Sequence, residues 1–403
     1  MLSRGINYFP TIREPGTSIE APETNLDNIL KKKILIVGMS ESPHLHTWIE
    51  GIAESNVVSE LWLFPSDFPL KKYKSKNINV HVFPYLFFGK LTNIIFRVLD
   101  LFTNRIWRSY FLFQEIKRVK PTHVHFHETQ HGGYLYNALA GHPKNKFQGK
   151  LILSTWGSDL IVYGRTQSHL SKVQDVMSWV NLLTSERIED LEVAKSNGFT
   201  GKFLAPTYIT IGNCNHGTEL FKTSERTMVL IKGYQDNHGR ALNALASIEL
   251  LASEISLSRF QFRIFSAAES VKLKSELLRS EFGLDVSVLP RMAKPKLMEH
   301  FKEARIYMGI AISDGLSTSM VEAMAYGAFP IQSRESSAPE FLENKVTGGI
   351  VDPWNILEVS KILKMALFDD ELVNQAAVVN LETLRAKYNW EKGLSRLVEV
   401  YDN

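Results

Sequence analysis

At 403 residues, 44% hydrophobic and 22% charged, the chain is too long for one typical domain and suits two. A formal net charge of +3 gives no case for a nucleic-acid partner. The single cysteine, Cys214, excludes a disulfide framework and any cysteine-built zinc site, and it points to a reducing compartment.

In chain order, Met1 to Asn28 holds no apolar core segment of a secretory signal, and Pro10, Pro15, Gly16 and Pro22 mark residues 1–32 as a flexible leader. Residues 34–38, ILIVG, read as the first strand of a Rossmann-like sheet. Gly38 opens the loop MSESPHLHTW, whose His46 is expected at a cleft, and a helix is predicted from about Thr47. The loop has one glycine and no Gly-Lys-Ser/Thr occurs anywhere, so dinucleotide and P-loop readings lose their support. Further strands are predicted at 59–64 and 78–83.

Residues 83–120 interleave aromatics, among them Phe87, Phe96, Phe102 and Trp107, with Lys90, Arg97, Arg105, Arg108, Lys117 and Arg118. No run of 18 uncharged apolar residues occurs there, so the expectation is a basic amphipathic helix lying on an anionic membrane surface, against a core helix with a solvated basic edge. His123, His125 and His127 then share one face of a short strand by its two-residue period. Strand histidines satisfied by neighbours are commoner than ligands, and no metal is expected. Residues 151–160 run from a strand into Trp156-Gly157-Ser158-Asp159. Asp159 is either a cleft carboxylate or a turn aspartate. After 181–186 and 202–206, the stretch TYITIGNCNHGTE reads as an interdomain linker.

A second sheet begins with a strand at 227–233 ending near Lys232, and Arg240 precedes a clear helix. Two cations beside one strand-to-helix turn can neutralise a diphosphate, or they are solvated surface charges. Strands at 261–267 and 285–290 follow, the latter leading to Arg291. The stretch IYMGIAISDGLSTSMVEAMAYGAFPIQ, 306–332, packs strand, turn, helix and strand with almost no spare residues. Asp314-Gly315 makes the turn, and the amides opening the helix at Ser317, Thr318 and Ser319 suit a phosphate. Glu322, eight residues after Asp314, reaches a sugar hydroxyl pair or closes a Ser319-x-x-Glu322 capping box.

The spacing Asp314, seven residues, Glu322, followed by EAMAYGAFPIQ, Glu340 and VTGGIVDP, resembles the retaining nucleotide-sugar glycosyltransferases of the GT-B fold over most of residues 33–403. That resemblance implies an α/β chain of two Rossmann-like domains with parallel sheets facing a cleft. It implies an acceptor domain at 33–208, joined by a returning helix at about 388–403, and a nucleotide-sugar domain at 218–387. In the family the second carboxylate holds the donor ribose and the first lies against the transferred sugar, roles that fall to Glu322 and Asp314. Asp314 stands where the usual residue is Glu. The His127-Glu128 pair is similar to a His-Glu-Pro segment whose histidine sits between sugar and acceptor, with Thr129 in place of proline. Trp156-Gly157-Ser158-Asp159 is similar to a His-Gly-x-Asp segment, and Lys232 and Arg240 are similar to a diphosphate-binding cation pair. Arg291 falls near the nucleobase.

The implied activity is metal-independent, retaining transfer of a hexosyl unit without a cofactor. The donor is a nucleoside diphosphate sugar, a UDP-sugar by preference, and the acceptor is a saccharide or lipid-linked. The implied setting is bacterial surface polysaccharide assembly, in the cytoplasm or peripherally on the inner face of its membrane. The rivals are an epimerase of the same fold and an inactive binding partner.

Overall fold

Uninterrupted Val, Ile and Leu runs seed strands that bury both faces, the pattern of a parallel sheet covered by helices. The computed structural model describes residues 32–66, 80–83, 90–103, 105–140, 147–204, 206–211 and 222–402. The expected leader, Phe87, Cys214 and most of the expected linker lie outside the described residues. The first sheet comprises β1 (Lys32–Gly38), β2 (Val58–Pro65), β3 (Val80–Val82), β4 (His123–His127), β5 (Lys150–Thr155), β6 (Leu182–Ser185) and β7 (Lys202–Phe203). Its seven strands run in the order β3-β2-β1-β4-β5-β6-β7, with every pairing parallel. The second comprises β8 (Met228–Lys232), β9 (Gln261–Phe265), β10 (Asp285–Val288), β11 (Ala304–Gly309), β12 (Phe329–Ser333) and β13 (Gly349–Val351). Its six parallel strands run in the order β10-β9-β8-β11-β12-β13.

The two-residue period divides each sheet between two cores. Leu35, Val37, Val124 and Phe126 face one side of the first sheet, while Ile34 and Ile36 pack on the other with Trp48, Leu397 and Tyr401. In the second, Val229, Ile231, Ile306 and Met308 oppose Leu230 and Tyr307. The helix Trp390–Asp402 therefore lies against the first sheet, where the Tyr401 carbonyl accepts from Lys32 Nζ at 2.6 Å.

Two boundaries differ from expectation. The first helix spans Pro43–Ser55, a turn earlier than Thr47, because Pro43 fits the first helical position, where its missing N–H costs nothing. The apolar run Ile306 to Ile312, which reads as one buried strand, leaves the sheet after Gly309. Ile310 accepts from Arg240 N at 2.8 Å and Ile312 N donates to His238 O at 2.9 Å, which ties two loops together beside the carboxyl ends of β8 and β11.

Candidate active site in the interdomain cleft

Strand order reverses between β1 and β4 in one sheet and between β8 and β11 in the other, and crevices for ligands open at the carboxyl ends of such strand pairs. Gly38 ends β1, and a Cβ there would lie 3.1 Å from that of His127, so glycine allows the two strand ends to close up. His127 is 1% exposed and sits between Trp48, His125 and Trp156, with ring centroids 5.3, 4.2 and 5.3 Å away. Neither of its ring nitrogens, nor the Trp156 indole N–H, has a hydrogen-bond partner among the described residues. Burial pulls the His127 pKa down to about 3, which keeps the imidazole neutral. The neighbouring histidines are structural. His125 bonds the Tyr401 hydroxyl and Ser154 Oγ, both at 2.7 Å, and His123 Nδ1 lies 2.9 Å from Thr122 Oγ1. Among the described residues no group of three or more His, Cys, Asp or Glu is placed to hold a metal.

Two first-domain expectations are corrected. His46 does not reach the cleft: its Nε2 lies 2.7 Å from the Ser40 carbonyl, folded back onto its own loop. His44 takes that place, its ring 5.5 Å from Trp156. Burial lowers the His44 pKa, the Asp314 charge opposes this, and Lys232 and Lys294 add to it, so His44 lies within electrostatic reach of three second-domain charges. Asp159 does not offer a carboxylate to the cleft either. It is 1% exposed, and its oxygens accept from Thr129 N at 2.5 Å and Trp156 N at 2.8 Å, binding two first-domain loops together.

In the second domain Lys232 Nζ lies 3.2 Å from Asp314 Oδ2 and 5.0 Å from the centre of the Tyr234 ring. Burial works against the ammonium, but Asp314, Tyr307 and Tyr234 outweigh it and raise the pKa, so Lys232 is a fixed cation. Both residues line a cavity of about 140 Å³ with Ser313, His238 and Gln332. Arg240 does not join them, contrary to expectation. Its guanidinium donates to the carbonyls of Asp236 and Gly239 at 3.1 and 2.7 Å and lies 4.8 Å from the centre of the Trp354 ring. The cause is local: Asp236 Oδ1 accepts from the amides of His238 and Gly239, and the tight turn so formed presents its carbonyls to Arg240.

Ser317 is the N-cap of the helix Thr318–Ala325 and makes no side-chain cap bond; Thr318 and Ser319 are its first two residues. Glu322 is thus its fifth residue, beyond reach of a capping box, and that alternative falls away. The Glu322 carboxylate is 7% exposed and lies 2.7 Å from Lys294 Nζ, a cation that the spacing of motifs did not single out. Arg291 is exposed and lines a cavity of about 750 Å³ with Phe265, Ser266, Val288, Leu289 and Met292, at the carboxyl ends of β9 and β10.

The thirteen parallel strands among the described residues, with cations and carboxylates gathered at the switch point of the second sheet, can be set beside known proteins. Residues 227–377 match the family described as glycosyl transferases group 1. The solved sucrose-phosphate synthase of Thermosynechococcus elongatus is similar at TM-score 0.70 and 13% identity, over 92% of this chain and 98% of that one. The lipopolysaccharide outer core galactosyltransferase WaaB, in its apo form, is similar at TM-score 0.66 and 14% identity, over 92% and 99%. Anabaena HepE in complex with UDP and glucose is similar at TM-score 0.63 and 13% identity, over 92% and 99%. The chain has the GT-B fold. No curated protein matches it in sequence.

The two GT-B domains meet closely behind the site. Gly157, at φ +112°, packs against Asp314 and Gly315, where a Cβ would lie 2.6 Å from the Asp314 carbonyl carbon. Gly315 is therefore turned toward the first domain: a Cβ on it would lie 2.7 Å from the Trp156 carbonyl oxygen. Glu186, 4% exposed, accepts from Leu316 N at 2.9 Å across this contact. Glu340 accepts from Ile188 N at 2.9 Å and from the Tyr208 hydroxyl. The glycosyltransferase-like spacing carried no sign of Glu186, which follows β6, remote in sequence from every motif.

Proposed function

We propose that this GT-B chain transfers a sugar, with retention of configuration, from a nucleoside diphosphate sugar to a saccharide or lipid-linked acceptor in bacterial surface polysaccharide assembly. The observation that carries the reading is the pairing of Lys232 with Asp314 and of Lys294 with Glu322, with His44 of the other domain feeling the charges of Asp314, Lys232 and Lys294. A diphosphate binding here displaces the carboxylates from the ammonium groups. Lys232 and Lys294 then balance the charge that builds on the leaving phosphate as the bond to the sugar breaks, which is where preorganised charge helps most. Glu322 is freed to accept from the ribose hydroxyls and Asp314 lies against the sugar, while the buried, neutral His127 ring packs behind Trp156 at the first-domain wall of the site. Lys232 and Lys294 make the reaction metal-independent in this reading. The cavity beside Arg291 receives the base. A UDP-sugar is the proposed donor, supported by the fold shared with HepE, which was solved with UDP and glucose.

A membrane surface is the proposed setting. The helix Lys90–Thr103 presents Ile94, Ile95, Val98, Leu99 and Phe102 to solvent, Phe102 at 86% exposure, and Ile106 and Tyr110 extend the strip. Among the described residues no helix is long and apolar enough to cross a membrane, and the proposed contact is interfacial, through this apolar strip. Thermal denaturation with UDP-, GDP-, ADP- and dTDP-sugars tests the donor: at a hundred times its dissociation constant a ligand of the native state stabilises by about 2.7 kcal/mol. UDP-sugars are expected to raise Tm most, and a panel without effect would overturn the proposal.

A further inference from the structure

A second cavity, of about 520 Å³, lies wholly in the first domain, and none of the groups assigned above line it. Its wall carries Arg105, His131, Tyr134, Tyr163, His169 and Lys172, with Asp175 as the one carboxylate. Arg105 is held at φ +66°, a conformation that costs an arginine free energy, and its guanidinium donates to the Gln130 carbonyl at 3.0 Å on the cavity wall. Lys172 Nζ lies 5.7 Å from the centre of the Tyr134 ring, and the Tyr134 hydroxyl bonds His169 Nδ1 at 3.2 Å. His131 Nε2 lies 3.3 Å from Glu128, and Asp175 is drawn aside by Asn137 at 3.3 Å. Among the described residues the wall thus offers two permanent cations, two imidazoles and two phenols, with Asp175 as its one lining carboxylate and Glu128 beside His131.

Two contacts give the cavity a direction. At its inner end Tyr163 meets His238 edge-on, 6.2 Å between ring centroids, and His238 lines the Lys232–Asp314 cavity. On another part of its wall Arg105 lies in sequence between the exposed Phe102 and the exposed Ile106, which ties the cavity to the apolar strip through the chain. We propose that this cavity binds a phosphate group of the acceptor, with Arg105 and Lys172 as its principal ligands. The inference rests on the glycosyl-transfer reading and names the acceptor's chemical class: a phosphorylated saccharide or a lipid phosphate whose tail lies along Phe102 and Ile106. Guanidinium and ammonium together suit a phosphate by fork and by point charge.

The test is calorimetric titration of the full chain, saturated with UDP, using inorganic phosphate, octyl phosphate and octyl glucoside as probes. Both phosphates are expected to bind and the glucoside to bind at least tenfold more weakly than octyl phosphate. Arg105→Gln with Lys172→Gln should weaken both phosphates at least tenfold and leave UDP affinity unchanged. Tighter binding of octyl phosphate than of inorganic phosphate assigns the natural group to a lipid headgroup; equal binding assigns it to a soluble phosphate. Should the double variant not fold, the exposed Lys172→Glu alone carries the same expectation. No phosphate binding, or wild-type phosphate affinity in the folded variants, overturns the inference. Absence of UDP binding in a separate titration overturns the donor reading instead, because the variant comparison reads the phosphate cavity without it.

Discussion

Lys232 and Arg240 flank one strand-to-helix turn, yet only Lys232 has a carboxylate of the site as its partner. Their substitutions should therefore part company. Lys232→Ala is expected to lower turnover at saturating donor by roughly a hundredfold to a thousandfold, the usual cost of removing one preorganised group at a developing charge. Arg240→Ala should stay within about threefold of wild type, since its half-buried guanidinium bonds only its own turn and the Trp354 ring, a contact that contributes about 0.5–1 kcal/mol. Steady-state assays of both variants decide; equal losses would put Arg240 on the diphosphate. The same contrast marks what could be read from the sequence. Strand ends placed His127 and Lys232 at the carboxyl edge, because a buried apolar run marks where a strand runs, whereas the apolar run before Asp314 continues past the end of its strand at Gly309. Side-chain direction within a loop was out of reach: a carbonyl of its own loop held the exposed His46, two amides took up Asp159, and a tight turn captured Arg240.

At the scale of elements, parallel strands were legible because both faces are apolar, and helix limits less so because proline at the first position and fraying ends shift them by a turn. The aromatic, basic stretch was legible as an amphipathic helix, but its charges are not all on the surface. Arg108 is 4% exposed and is engaged by Asp100 and the Ser66 carbonyl, while Arg105 turns to the Gln130 carbonyl. The side chains of Lys90, Phe96 and Arg97 lie outside the described residues. Attraction to vesicles should accordingly depend on the apolar strip more than on charge. Phe102→Ser with Ile106→Ser is expected to weaken co-sedimentation with phosphatidylglycerol vesicles at least tenfold, since inserting one such side chain contributes about 1.5–3 kcal/mol. Wild-type protein that stays in the supernatant, or a double variant that pellets as wild type does, would remove the membrane setting.

Across the whole molecule, the close contact of Gly157 with Gly315 and the bond from Leu316 N to Glu186 hold the two domains together directly behind Asp314. Such pairings join residues more than a hundred positions apart, and no local pattern announces them. The domain contact brings Asp314 within electrostatic range of His44 of the other domain, and the proposed transfer requires Glu322 to hold a ribose in the second domain. Measuring UDP affinity of wild type and of Glu322→Gln by calorimetry tests this most directly. Lys294 is 70% exposed, so loss of its ion pair with Glu322 should leave thermal stability nearly unchanged. A carboxylate accepting from ribose hydroxyls contributes about 1.5–3 kcal/mol per charged hydrogen bond, so affinity should fall at least tenfold. Equal affinity in the two proteins would contradict the assignment of the donor site.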